Sequence, residues 1–102
     1  MGWSNQVERN LEAIEYEKDG EIDKAIKLYE ENIAEDFEGT YPYERLAEIY
    51  LQADQEKDLI RVLEKALVVF EGAELSDCQY KHTQLERFKE MYKNFTTTLE
   101  NI

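Results

Sequence analysis

A 34-residue internal offset restricts what this chain can fold into more than any other feature of it. Shifted by that distance, Ala13 falls on Ala47, Tyr16 on Tyr50, Asp23-Lys24 on Lys57-Asp58, Tyr29 on Leu63 and Ile33 on Leu67. Each unit has a small residue, a tyrosine three positions later, a polar turn at Asp19-Gly20 or Ala53-Asp54, and a second segment with large apolar residues on one face. A hairpin of that length cannot cover its own apolar face and must stack on a neighbour, so the same packing positions return at the repeat period. Composition makes the units helical. The 102 residues hold 1 proline and 18 glutamates, and Glu, Lys, Leu and Ala enter helices cheaply while Pro is nearly excluded.

Local signals divide the chain into five helices within a single domain, 1–102. Asn5 with Glu8 reads as a capping box, followed by Val7, Leu11 and Ile14 until Asp19-Gly20 interrupts. The second helix carries Ile22, Ala25, Ile26, Tyr29 and Ile33, with Leu28 at the edge, and ends between Asp36 and Gly39. These segments form a first hairpin over residues 5–38. Thr40 or Tyr41 precedes a third helix that tolerates Pro42 in its first turn and buries Leu46, Ala47, Ile49 and Tyr50. Asp54 is expected to cap the fourth helix, which carries Leu59, Val62, Leu63, Ala66, Leu67 and Phe70 and stops at Gly72, giving a second hairpin over 40–71. Ser76 with Gln79 opens a final helix over 76–100, its stripe being Cys78, Leu85, Phe88, Tyr92, Phe95 and Leu99. Short connections imply antiparallel neighbours.

Ala13, Tyr16, Gly20, Ala25 and Tyr29 in the first unit, and Tyr43, Leu46, Ala47, Tyr50 and Ala66 in the second, resemble the tetratricopeptide repeat family over residues 7–70. Departures are Glu12 for Leu, Arg9 for an aromatic residue, Leu59 and Asn32 for small residues, and no closing Pro. The resemblance implies an all-α fold of antiparallel hairpins stacked as a short right-handed α-solenoid, with the last helix as a solvating cap. It also implies a scaffold without chemistry, in which the first helix of each pair lines a concave groove for a protein segment. Carried over, that groove takes Val7, Asn10, Leu11, Ile14, Glu17 and Lys18 from the first unit, and Tyr41, Glu44, Arg45, Glu48, Leu51 and Gln52 from the second. Ile14 and Glu48 occupy places where a carboxylate-gripping clamp of the family would want polar or basic groups, so that mode is rejected. Glu44 and Glu48, four apart on one helical face, favour a basic segment with an apolar anchor.

Charge sharpens the expectation of a partner. The chain carries 24 acids against 12 bases, a net charge of −12, which argues against binding nucleic acid or anionic lipid. Residues 1–40 hold 12 acids and 4 bases, whereas residues 73–102 hold 5 and 4, so the anionic character is concentrated in the first hairpin. Glu30, Glu31, Glu35, Asp36 and Glu38 crowd the end of the second helix, where the macrodipole disfavours negative charge, and are read as an acidic patch for a basic partner. Trp3, Tyr41 and Tyr80 are candidate aromatic anchors.

A competing expectation is an acidic decoy that imitates nucleic acid and occupies a basic site on another protein. Self-association through an uncovered end of the short array, giving a homodimer, is a further expectation. Catalysis finds no support, since there is no nucleophile with an evident base, no glycine-rich phosphate loop and one histidine. Cys78 and His82, four apart, fall short of the ligand set of structural zinc and are read as packing residues, so neither metal nor cofactor is expected. The lone cysteine forbids an intrachain disulfide, no stretch reaches membrane-span length, and Met1 to Val7 has no apolar signal core, so a cytoplasmic location is expected.

Overall fold

The computed structural model describes the backbone of residues 2–37, 39–71 and 79–100 and the side chains of 5–37, 39–70 and 82–96. Five α-helices follow one another, with no strand among the described residues: α1 (Gly2–Lys18), α2 (Ile22–Ala34), α3 (Tyr41–Gln52), α4 (Glu56–Glu71) and α5 (Gln79–Glu100). α1 and α2 are antiparallel, because Gln6 reaches Glu35 and Arg9 reaches Asn32 at one end while Tyr29 reaches Glu17 at the other. α4 and α5 are antiparallel as well, through Phe70 against Phe88 and Glu64 against Tyr92. α2 and α4 lie side by side in the same direction, joined by Glu30 to Arg61 and Asp36 to Lys65. Glu17 of α1 meets Arg45 of α3, and α3 faces α5. The contacts therefore place α1, α3 and α5 in one layer and α2 and α4 in a second. The thinnest extent of the Cα atoms, 19 Å, has room for two such layers at an axis spacing of about 8–10 Å.

The 34-residue period is present in the backbone of the turns. Asp19 N–H donates to Glu15 O, Gly20 to Glu17, Glu21 to Tyr16 and Ala25 to Glu21; one period later Ala53 donates to Ile49, Asp54 to Leu51, Gln55 to Tyr50 and Leu59 to Gln55. Gly20 (φ 78°) and Asp54 (φ 58°) occupy the left-handed conformation at the matched position, closing α1 and α3 with the same Schellman arrangement. Asp54 therefore ends α3 and does not cap α4, which corrects the expectation from the sequence. Aspartate is favoured both at a helix N-cap and in the left-handed region, and the register of the turn selects the second. Asp36 (φ 56°) ends α2 in the same way, its N–H donating to Ile33 O while Phe37 N–H reaches Asn32 O.

A Cβ added at Gly20 would have no heavy atom within 4 Å, so only its backbone conformation resists substitution. Gly20→Ala is expected to lower stability by about 1 kcal/mol and Asp54→Gly to raise it by roughly half that. Thermal denaturation of the two variants checks the opposite signs.

The start of α1 also differs from expectation. α1 begins at Gly2, so Asn5 and Glu8 lie inside it and form no capping box; Gln6 and Arg9, bonded to the far end of α2, extend the helix through tertiary contact. Thr40 immediately precedes α3, as expected, and its hydroxyl donates to Glu44 Oε2 at 2.6 Å. Pro42 sits in the first turn as expected. The readings placed on Gly72, Ser76 and Cys78, and on the side chains of Trp3, Glu38, Gln79, Tyr80 and Leu99, fall outside the described residues.

The core is centred on α4. Leu59, Val62, Leu63 and Ala66 are fully buried, and Phe70 nearly so, against Tyr29, Leu46 and Tyr43 and with Leu85 and Phe88 from α5. Matched residues share this environment, Ala13 with Ala47 and Tyr29 with Leu63 all being buried. α1 departs from its sequence pattern: Leu11 is 60% exposed, while the buried positions of that helix are Gln6 and Ala13.

Candidate interaction cleft

Residues 41, 44, 45, 48 and 52 share one face of α3, and residues 84, 87, 88 and 91 share one face of α5, as helical spacing requires. Where these faces meet they enclose a cleft of about 410 Å³. Its apolar part is Ala47, Phe88 and Met91, with Tyr41 at one end. Phe88 is 2% exposed and stacks on Phe70, with ring centroids 6.3 Å apart, so the cleft rests on the core. Methionine is adaptable, so Met91 can follow the shape of an incoming side chain.

The polar walls differ. Glu44 and Glu48 stand on α3, Glu48 accepting from Gln52 Nε2 at 2.8 Å, while Arg87 is exposed on α5. Arg45 also lines the cleft, but its Nη2 donates to Glu17 Oε1 at 2.7 Å and its Nε to both Glu17 oxygens at 3.3 and 3.2 Å. Glu17 Oε2 accepts a further bond, 2.6 Å long, from the hydroxyl of the fully buried Tyr29. Burial pushes the Glu17 carboxyl up, yet the Arg45 guanidinium and Tyr29 hydroxyl together outweigh it and hold it below the ordinary value. A depressed carboxyl stabilises the fold above its unfolded-state value, and that contribution is lost as pH falls through the lower folded value. Glu17→Gln should accordingly flatten the loss of stability between about pH 5 and 3, as read by urea unfolding at several pH values.

Among the groove residues, Tyr41, Glu44, Arg45 and Glu48 are brought to this one cleft, and Glu17 stands behind it through Arg45. Leu51 is exposed outside it, Ile14 is half-buried on α1, and Asn10 Oδ1 accepts from Asn32 Nδ2 at 2.7 Å. Leu11 lies in a separate, shallower hollow with Glu8, Glu12 and Glu15. Gln84, Arg87 and Met91 line the cleft, a position that the sequence reading did not assign to them. Their spacing on α5 is the signal; it is masked because Gln84, 34 residues after Tyr50, is a polar residue in a buried position beside the apolar Leu85.

The acidic patch has a structural account. Glu30 binds Arg61 at 2.6 Å and accepts from the Tyr50 hydroxyl, Glu31 and Glu35 lie 3.5 and 2.9 Å from Arg9, and Asp36 pairs with Lys65. Cations from α1 and α4 thus offset the negative charge that the α2 C-terminus disfavours. The Arg9 hydrogen bond holds the Glu35 carboxyl below its ordinary value.

His82 is exposed, which corrects its reading as a packing residue, and among the described residues no three His, Cys, Asp or Glu side chains converge as a metal ion would need. No described helix is long and apolar enough to cross a membrane. What the described side chains of the cleft offer is apolar contact, hydrogen bonding and ion pairing. No family model, curated protein or solved structure matches the chain.

Proposed function

We propose that the chain is a non-enzymatic protein-interaction module, a short tetratricopeptide-like right-handed α-solenoid of two hairpins and a capping helix, which holds a partner segment in the α3–α5 cleft. The observation that carries this reading is the cleft itself, where an apolar floor of Ala47, Phe88 and Met91 is bordered by Glu44 and Glu48. A complementary segment has one apolar side chain for the floor and a lysine or arginine beside it for the acidic wall. The turns repeated at 34 residues and the two-layer stacking support the array. Four acids at the end of α2, Glu30, Glu31, Glu35 and Asp36, are paired with Arg9, Arg61 and Lys65 and so are less suited to imitate nucleic acid, which favours the segment-binding reading over the decoy.

Selection of a random peptide display library on the purified chain tests the proposal. The enriched peptides should pair Leu, Met or Phe with a nearby Lys or Arg, and the double reversal Glu44→Lys, Glu48→Lys should weaken them by about tenfold or more. Peptides that bind this variant as well as they bind the parent chain, or a library that yields none, would reject it.

A further inference from the structure

The charged residues lining the cleft are two acids, Glu44 and Glu48, and two bases, Arg45 and Arg87, so by count it has no preference for either sign of ligand. We infer that Glu17, which does not line the cleft, gives it a preference for basic segments by neutralising Arg45 from behind. This rests on the reading of the cleft as a segment-binding site.

Glu17 reaches Arg45 from α1, in the neighbouring hairpin, and binds it through both carboxylate oxygens, the shortest contact being 2.7 Å. The Glu17 side chain is 15% exposed, and its Oε2 is also tied to the hydroxyl of Tyr29, a residue with no exposed surface. The carboxylate is thereby tied both to the core and to the guanidinium. Arg45 keeps its place in the wall, with the planar guanidinium facing a fixed counter-charge, and adds little field to the cleft. Glu48 accepts a hydrogen bond from the neutral amide of Gln52, which brings it no counter-charge. One carboxylate on α1 therefore shifts the balance of an α3–α5 site by one negative charge, so the stacking of the hairpins determines what the cleft selects.

The experiment uses two labelled peptides of equal length, each with a single leucine in a Gly/Ser background, one bearing lysines and the other glutamates. Fluorescence anisotropy gives the affinity ratio of the two for the full chain and for E17Q, R45Q and E17Q/R45Q. The parent chain should prefer the lysine peptide. E17Q frees Arg45 and should reduce that preference by about fivefold, R45Q leaves Glu17 uncompensated and should increase it, and the double variant should return to within about twofold of the parent. Loss of the clasp as a purely structural element would move E17Q and R45Q in the same direction, so opposite shifts separate charge from folding. Shifts of the same sign, or none, in a chain that still prefers the lysine peptide would overturn the role of Glu17 alone. A parent chain that binds neither peptide, or prefers the glutamate peptide, would overturn the cleft reading and this inference with it.

Discussion

Phe70→Ala should remove about 3–5 kcal/mol of folding stability, a large fraction of the roughly 5–15 kcal/mol expected for a domain of this size. Phe70 is 1% exposed and its ring joins three helices. It lies edge-on to Tyr43 of α3, with centroids 5.1 Å apart at 76°, and stacks on Phe88 of α5 at 6.3 Å and 16°. Alanine leaves a ring-sized void that neither neighbour can fill easily, because the Tyr43 hydroxyl is fixed by its bond to Phe37 O at 2.9 Å and Phe88 is held between the core and the cleft. The loss therefore combines lost burial, lost aromatic pairing and residual cavity. Phe70→Leu keeps most of the volume and should cost under about 1.5 kcal/mol. Urea denaturation followed by circular dichroism measures both, and a Phe70→Ala loss below about 1 kcal/mol would show that the helices repack around the void. Because Phe88 is also the cleft floor, Phe70→Ala should weaken peptide binding even under conditions where the chain remains folded.

Phe70 also shows what was legible in the sequence. α4 packs through side chains that repeat with helical period, so Leu59, Val62, Leu63, Ala66, Leu67 and Phe70 identify their own face, and the structure buries all of them but Leu67, which is half-buried. The same periodicity fails on α1. Its exposed Leu11 looks like a core position, whereas the polar Gln6 is buried and bonds to Glu35, just past the end of α2. Arg9 and Asn32 each depart from the repeat pattern, yet they lie in contact at 3.1 Å, so two apparent defects are one compensated pair. The acids at the end of α2 are similar: their cations are on α1 and α4, and no local window of sequence contains both partners. α3 supplied the legible half of the cleft through Tyr41, Glu44, Arg45 and Glu48, while the other wall stayed hidden behind the polar Gln84. Apolar periodicity reports a helix and its face; a polar contact made across the stack is recorded only in the fold.

Asn32→Asp, a change of one side-chain group at constant shape, should cost about 3 kcal/mol or more at neutral pH. Asn32 has no exposed surface, and its amide nitrogen donates both to Gln6 O at 2.9 Å and to Asn10 Oδ1 at 2.7 Å. Its oxygen accepts from Arg9 Nη1 at 3.1 Å, so all three bonds depend on which end of the amide is the donor. Aspartate places an acceptor against two acceptors and buries a charge that Arg9, already engaged by Glu31 and Glu35, offsets only in part. Protonation restores one donor, so the folded state should hold the new carboxyl above its unfolded value. The penalty is then full above the raised folded value and shrinks as pH falls toward the ordinary carboxylate range, opposite in sign to the behaviour of Glu17. Asn32→Ala, which removes the group without reversing any donor, should be milder, at roughly 2 kcal/mol. Urea unfolding of both variants at neutral and mildly acidic pH gives the comparison. An Asn32→Asp loss that is no larger than that of Asn32→Ala, or that does not diminish with acid, would mean that Arg9 turns to neutralise the new charge and that the Asn32 amide is not what fixes α1 on α2.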